Sequence, residues 1–314
     1  MKRIAIPIAL KGFRTLMSAA LLLPLIGCVG TDLRLPSVTE SKTALSLPGK
    51  VVWHDLITHT PKESRLFYET LFGWEFEELG WDISRLRQIN YTLIRHNGTL
   101  IGGMVDANQL GRPNPEQLSQ WVVVISVGDI DAATAQVAAQ KGTVRQEPVD
   151  VGERGKLALV EDASGAEFAL LQTRDGDPQD TPLTVGSFLW DEVWTDDVDS
   201  ASRFYERITG LETADHAGDQ GGSYRLLKDK QTARMGVLPM PLEGLAPTWV
   251  SYIRVADADP VARQAAALGG RVLIDVRQRE VGGEAALIAG PSGAGIAIQT
   301  WTPRPGAEET TTTQ

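Results

Sequence analysis

Two short strings of residues carry most of the chemistry this chain could do. Trp53-His54-Asp55 and Trp190-Asp191-Glu192 each place a carboxylate two residues after a tryptophan. On an extended strand alternate residues share a face, so Trp53, Asp55 and Ile57 would project together, as would Trp190, Glu192 and Trp194. A carboxylate desolvated against an indole is suited to proton transfer, which makes Asp55 and Glu192 the candidate general bases. Trp53, Tyr91, Trp121, Trp190, Trp194, Tyr224 and Trp249 are the candidate walls of an apolar ligand cleft. The competing role for the aromatics is core packing, and for the carboxylates hydrogen bonding to backbone or arginine. His54, His59, His96 and His216 are scattered and read as solvated side chains, with His54 turned to the face opposite Asp55. No nucleophile elbow, P-loop or dinucleotide fingerprint is present, and Gly102-Gly103, Gly221-Gly222 and Gly282-Gly283 read as turn or strand-edge glycines.

A third reactive group stands apart. Lys2, Arg3, Lys11 and Arg14 precede an uncharged stretch from Thr15 to Gly27 that ends in Leu25-Ile26-Gly27-Cys28. The stretch is shorter than the roughly 20 apolar residues that span a bilayer, so it reads as the core of a signal peptide. Its end resembles the lipobox of secreted bacterial lipoproteins. That resemblance implies cleavage before Cys28, acylation of its thiol and amine, and a membrane anchor. Val29 rather than Asp after the cysteine is similar to the outer-membrane pattern, which implies the cell envelope and the periplasmic face of the outer membrane. Cys28 is the single cysteine of the 314 residues, so no intramolecular disulfide can form and the exported part depends on core burial.

Composition narrows the partners. Lys+Arg 30 against Asp+Glu 40 gives a net charge of −10, with no basic stripe in the body of the chain, so nucleic acid is excluded as an expected partner. The domains then divide as signal peptide 1–27, lipidated Cys28 and a polar tether to 48, domain 1 over 49–174, a linker over 175–186, domain 2 over 187–302, and a low-complexity tail over 303–314.

The elements that must position the carboxylates repeat. Trp53 recurs as Trp190, Thr58 as Thr195, Phe67-Tyr68 as Phe204-Tyr205 and Gly73 as Gly210, all at one spacing without a gap. Further along, Tyr91 recurs as Tyr224, Trp121 as Trp249, Gly142 as Gly270 and Gly165 as Gly293 at a shorter spacing, as expected if the second copy has shorter loops. Each copy begins with an alternating strand (51–57; 188–194) and a short amphipathic helix (62–72; 200–208) whose apolar face holds Leu66, Phe67 and Leu71 in copy one. Gly73 and Gly210 sit at the helix ends, where the left-handed conformation favours glycine. Three strands follow, and a second strand–helix–three-strand unit starts at Trp121. The chain is therefore read as α+β, with four βαβββ units in two tandem domains of curved mixed sheets.

The pattern Trp-x-(Asp/Glu)-(Leu/Val)-x-Thr, Phe-Tyr-Glu and Gly, closed by Asp162-Ala163-Ser164-Gly165 and Gly290-Pro291-Ser292-Gly293, resembles the vicinal-oxygen-chelate (glyoxalase/bleomycin resistance/dioxygenase) superfamily. It covers roughly residues 49–302. The superfamily includes metal-dependent isomerases and dioxygenases as well as metal-free binding proteins. Its metal-ligand positions fall on Trp53 and Trp190, on or beside Val122 and Val250, and on Ala169 and Ala297, none of which ligates a divalent ion. The expectation is accordingly a membrane-anchored lipoprotein that binds a small organic molecule without metal or other cofactor. Two rivals stand beside it: an enzyme of the same fold (lyase, isomerase or hydroxylase) using Asp55, Glu192 or an atypical metal site, and a structural module of the envelope. A second copy of the chain, forming a homodimer, is a further candidate partner.

Overall fold

The computed structural model of the chain describes residues 34–79, 91–215, 224–242, 244–279 and 281–301. The signal peptide, Cys28, His216, Gly221-Gly222 and the tail from 303 lie outside the described residues. No helix among the described residues is long and apolar enough to cross a membrane.

Copy one runs β1 (Val51–Thr58), α1 (Pro61–Phe72), β2 (Glu75–Glu78), β3 (Tyr91–His96), β4 (Thr99–Asp106), β5 (Gln120–Ser126), α2 (Ile130–Ala139), β6 (Thr143–Asp150), β7 (Gly155–Glu161) and β8 (Glu167–Thr173). Copy two repeats this as β9 (Phe188–Thr195), α3 (Val198–Thr209), β10 (Glu212–Asp215), β11 (Arg225–Asp229), β12 (Thr232–Pro239), β13 (Thr248–Val255), α4 (Ala258–Ala267), β14 (Arg271–Gln278), β15 (Glu284–Ala289) and β16 (Gly295–Thr300). Each copy makes one eight-stranded sheet, ordered β2-β3-β4-β1-β5-β8-β7-β6 and β10-β11-β12-β9-β13-β16-β15-β14. Within a copy the two βαβββ units join through their first strands, β1 antiparallel to β5 and β9 antiparallel to β13.

Local sequence sets the helix boundaries. Asp129 and Asp197 accept from the backbone N–H of Ala132 and Ser200, capping α2 and α3, while Pro61 opens α1. Gly73 and Gly210 close α1 and α3 at φ 67° and 76°, left-handed as glycine permits. The apolar face of α1 is set differently from the sequence reading. Ser64, Phe67, Tyr68 and Phe72 are buried, and Leu66 is 60% exposed.

Strand alternation separates two faces. Asp55 lies opposite Val122, and Leu56 opposite Trp121. The face of Trp53, Ile57, Val122 and Val124 lines a cup, whereas the face of Leu56 and Trp121 meets the helices. The helix-covered faces of the two sheets form two clusters shared between the copies, one where α2 packs on α3 and one where α1 packs on α4. This explains the glycines at 142 and 270. A Cβ on Gly142 would stand 2.8 Å from a ring carbon of Phe204, and one on Gly270 would stand 2.7 Å from the ring of Phe67. The Phe-Tyr motif of each copy thus packs against the other copy. Tyr205 donates to Asp162 at 3.0 Å, across the interface, and Tyr68 lies over Gly290.

The segment before β1 is more ordered than its polar composition suggests. From residue 34 it lies along domain 1, where Leu35 N–H donates to Val151 O at 2.7 Å and Leu35 O accepts from Arg154 N–H. Leu35 and Val38 are buried. The residues that read as a tether therefore supply two apolar side chains to a core that the domain's own strands leave open.

Candidate functional site

Each sheet curls into a cup whose floor holds one polar cluster. In cup one the Trp53 indole N–H reaches Tyr91 Oη at 2.8 Å and Asp55 Oδ1 at 3.1 Å, and the Tyr91 hydroxyl donates to Asp55 at 2.5 Å. In cup two Trp190 donates to Tyr224 Oη at 2.9 Å, and Tyr224 donates to Glu192 Oε1 at 2.8 Å. Burial and the neighbouring carboxylates raise both tyrosines above their ordinary pKa, although an arginine beside each opposes the shift, so both stay protonated donors. Gly103 and Gly236 leave the space this requires. A Cβ on Gly103 would overlap the Tyr91 hydroxyl, and one on Gly236 would stand 2.5 Å from that of Tyr224. Gly103 is thus an interior residue of β4 and not the turn or edge glycine its sequence suggests.

An arginine completes each cluster. Arg154 Nη1 donates to Tyr91 Oη at 3.0 Å, and its guanidinium stacks 4.4 Å from the centre of the Trp53 ring. Arg279 Nη2 donates directly to Glu192 Oε1 at 2.6 Å, its Nη1 to Gln299 at 2.8 Å, and its guanidinium lies 4.6 Å over Tyr252. Burial opposes the charge on Arg279, but Glu192 and Tyr252 outweigh burial and raise its pKa. The two arginines do not occupy equivalent positions. Gly155 and Gly283 mark the same turn, since Val151 N–H donates to Gly155 O at 2.8 Å and Arg279 N–H to Gly283 O at 2.9 Å. Arg279 therefore stands where copy one has Val151, and Arg154 where copy two has Gly282. Each copy brings a guanidinium to its polar cluster from a different corner of one turn, to the phenol of Tyr91 in copy one and to the carboxylate of Glu192 in copy two.

The cups differ in content. Cup one is filled by Leu35 and Val38, packed with Trp53, Tyr91 and Val124, and Arg154 Nε donates to Pro36 O at 3.1 Å. Cup two holds an open cleft of about 300 Å³ between Leu189, Trp190, Tyr224, Arg279, Gln299 and Trp301. Two of the five Arg279 N–H donors are spoken for by Glu192 and Gln299, so the guanidinium can also meet an acceptor on a bound molecule.

Of the aromatic residues read as cleft walls, Trp53 and Tyr91 floor cup one, and Trp190 and Tyr224 line cup two. Trp194 is buried beside Glu192, with its N–H 3.5 Å from Oε2. Trp121 and Trp249 line neither cup. They sit on the helix side and donate to Tyr68 and Tyr205 at 3.0 and 3.1 Å, because alternation turns them away from Asp55 and Glu192. Two histidines also depart from the solvated reading. His54 is buried, stacked on Phe188, and bonded at 2.9 Å to Asp191, its repeat equivalent 137 residues on, while His96 is buried against Val185 O. His59 bonds Ser119 at 2.8 Å.

The donor set of the cups does not fit a divalent ion. Trp53, Val122 and Ala169, with Trp190, Val250 and Ala297, bring no lone pair to the places the family gives to metal ligands. The Glu192 carboxylate is already met by Tyr224, Trp194 and a guanidinium, whose charge would repel a cation. Among the described residues no three of His, Cys, Asp and Glu gather as metal ligands would.

With this geometry in hand, residues 50–170 match the family model described as Glyoxalase/Bleomycin resistance protein/Dioxygenase superfamily. The chain is 29% identical over 247 residues to "Putative glyoxylase CFP32" of Mycobacterium tuberculosis, covering 77% of this chain and 91% of that protein. It is also 29% identical over 262 residues to the anthracycline biosynthesis protein DauV of Streptomyces sp., covering 80% and 93%. Its fold is similar to the Mn(II)-bound glyoxalase from Novosphingobium aromaticivorans (TM-score 0.54, 15% identity, 82% of this chain and 83% of that one). It is likewise similar to an extradiol ring-cleaving dioxygenase from B. fuscum (TM-score 0.53, 14% identity, 83% and 74%). Residues 50–170 thus form a domain of the glyoxalase/bleomycin resistance/dioxygenase superfamily, and the second domain repeats its strand order.

Proposed function

We propose that this protein is a lipid-anchored binding protein of the cell envelope whose working site is cup two. The observation that carries the reading is the contrast between a filled cup one and an open apolar cleft in cup two with one cationic corner. Trp190, Leu189 and Trp301 suit a flat apolar body, and Arg279 with Gln299 suits a carboxylate or carbonyl at one end. Glu192 is surrounded by donors from Arg279, Tyr224 and Trp194, which supports a role in holding Arg279 rather than in taking a proton from substrate. In this reading the metal chemistry of related enzymes has been replaced by an arginine–carboxylate pair.

Titration with aromatic carboxylates, followed by tryptophan fluorescence, tests the site. Quenching is expected with a stoichiometry of one and should be lost in Trp190→Ala. Absence of quenching by any acid or carbonyl compound would reject the site. The anchor is tested separately. Cys28→Ser should move the protein from the membrane to the soluble fraction of the envelope, and an unchanged membrane fraction would reject lipidation.

A further inference from the structure

The duplicated chain has a third cleft, between the domains, whose copy-two wall is the outer part of the apolar cluster that also holds Leu189 and Trp190 of cup two. It measures about 360 Å³ and is lined by repeat-related pairs: Gln120 with Thr248, Trp121 with Trp249, Arg145 with Leu273, and Glu167 with Gly295. Residues related by the duplication face each other across it, so it straddles the pseudo-twofold axis of the molecule. The two halves are not alike. Copy one supplies all the charge, with Arg145 clamping Glu161 through two hydrogen bonds of 2.7 Å and Gln120 donating to Glu167 at 2.9 Å. Copy two places Leu273 and Leu287 opposite, with Trp194 beside them.

We propose that this axial cleft is a second binding site, for an amphipathic amine. Its ammonium group would pair with Glu167, and its apolar body would lie against Trp194, Leu273 and Leu287. Arg145 is committed to Glu161 by a bidentate pair, and Glu167, hydrogen-bonded to Gln120 and Glu161, has no ion pair of its own among the described residues. The flanking tryptophans present ring surface suited to an organic cation. Burial, with the Glu161 carboxylate adding to it and Gln120 and Arg145 opposing, pushes the Glu167 carboxyl up to about 7. The groups facing it are Gln120 from β5, Arg145 from β6 and Glu161 from β7. The copy-two wall adds no charge. An ammonium ion would bind the ionised form and expel a proton near neutrality.

Phenethylamine is the probe, titrated into the protein by calorimetry. Binding should be about tenfold weaker at pH 6 than at pH 8, the ratio of ionised Glu167 at the two values. At pH 7 it should release a fraction of a proton, read by comparing two buffers of different ionisation heat. Glu167→Gln, close to isosteric, should weaken binding at pH 8 by at least tenfold and abolish the pH dependence. Leu245→Arg, on the copy-two wall of the cleft, should obstruct it and weaken binding. Failure to bind at millimolar concentration, or binding insensitive to pH and to both substitutions, overturns the proposal. Phenylpropionate, which has the apolar body with an acid in place of the amine, should not bind this cleft. If it displaces phenethylamine, the amine sits in cup two and the axial site is rejected. An inert cup two leaves the amine result standing.

Discussion

The two cups of this chain start from the same motif and end differently. Both put a tryptophan N–H, a tyrosine hydroxyl and a carboxylate in one hydrogen-bonded cluster on the floor of a curved sheet. In cup one the arginine touches the phenol, and an apolar segment from outside the sheet seals the space above. In cup two the arginine touches the carboxylate, and the space stays open. Two differences separate the filled cup from the open one: which corner of a turn holds the cation, and whether a chain segment is at hand to fill the cup.

The largest effects should come from removing the cations. Arg279→Ala leaves Glu192, which has no solvent exposure, without its counter-charge, and is expected to cost about 3–5 kcal/mol. Arg154→Ala should cost less, about 2–3 kcal/mol, because the lost partners are a neutral phenol, a backbone carbonyl and ring stacking. Urea unfolding of the two variants measures the difference. Equal losses would mean that the carboxylates, and not the mode of contact, set the energetics.

Emptying cup one comes next. Leu35→Ser with Val38→Ser removes two buried side chains, with an expected cost of about 2–4 kcal/mol. It should also turn cup one into a cleft, so that the stoichiometry for an aromatic carboxylate rises from one toward two. A destabilised protein that still binds one equivalent would show that Arg154, facing Tyr91, cannot do what Arg279 does.

Much of this was legible in the residues. The repeat of Trp53 and Trp190, with Tyr91 and Tyr224, follows from strand periodicity and spacing, and those pairs do meet at the cluster. The helix-side placement of Trp121 and Trp249 is not legible in the residues, because the antiparallel register of β1 on β5 is not written in either strand alone. The arginines escaped because repeat alignment sets Arg279 against Val151 and Arg154 against Gly282, so neither shows a repeated cation. The order of the leading segment escaped for a similar reason. Two apolar residues in a polar stretch carry no period, and only the unfilled cup gives them a place. Phe67-Tyr68 and Phe204-Tyr205 were visible as motifs, but their packing on the opposite copy becomes apparent only once the helices pair.

The smallest expected effect tests whether the two copies have also diverged at their shared axis. Glu167 of copy one corresponds to Gly295 of copy two, so only one side carries a carboxylate there. Its folded pKa of about 7 lies above the unfolded value near 4.5. The folded state therefore holds this proton more tightly, and stability falls as pH rises from about 4.5 to 7, then levels. Above pH 7 the native state keeps a partly buried charge near Glu161. Glu167→Gln removes that charge while keeping the shape and the contact with Gln120. It should stabilise the protein by about 1–2 kcal/mol at pH 8 and by almost nothing at pH 4.5. Denaturant midpoints at the two pH values check this. A gain of the same size at both would assign the effect to the amide's hydrogen bonding, and no gain at pH 8 would mean that the Arg145–Glu161 pair already offsets the charge.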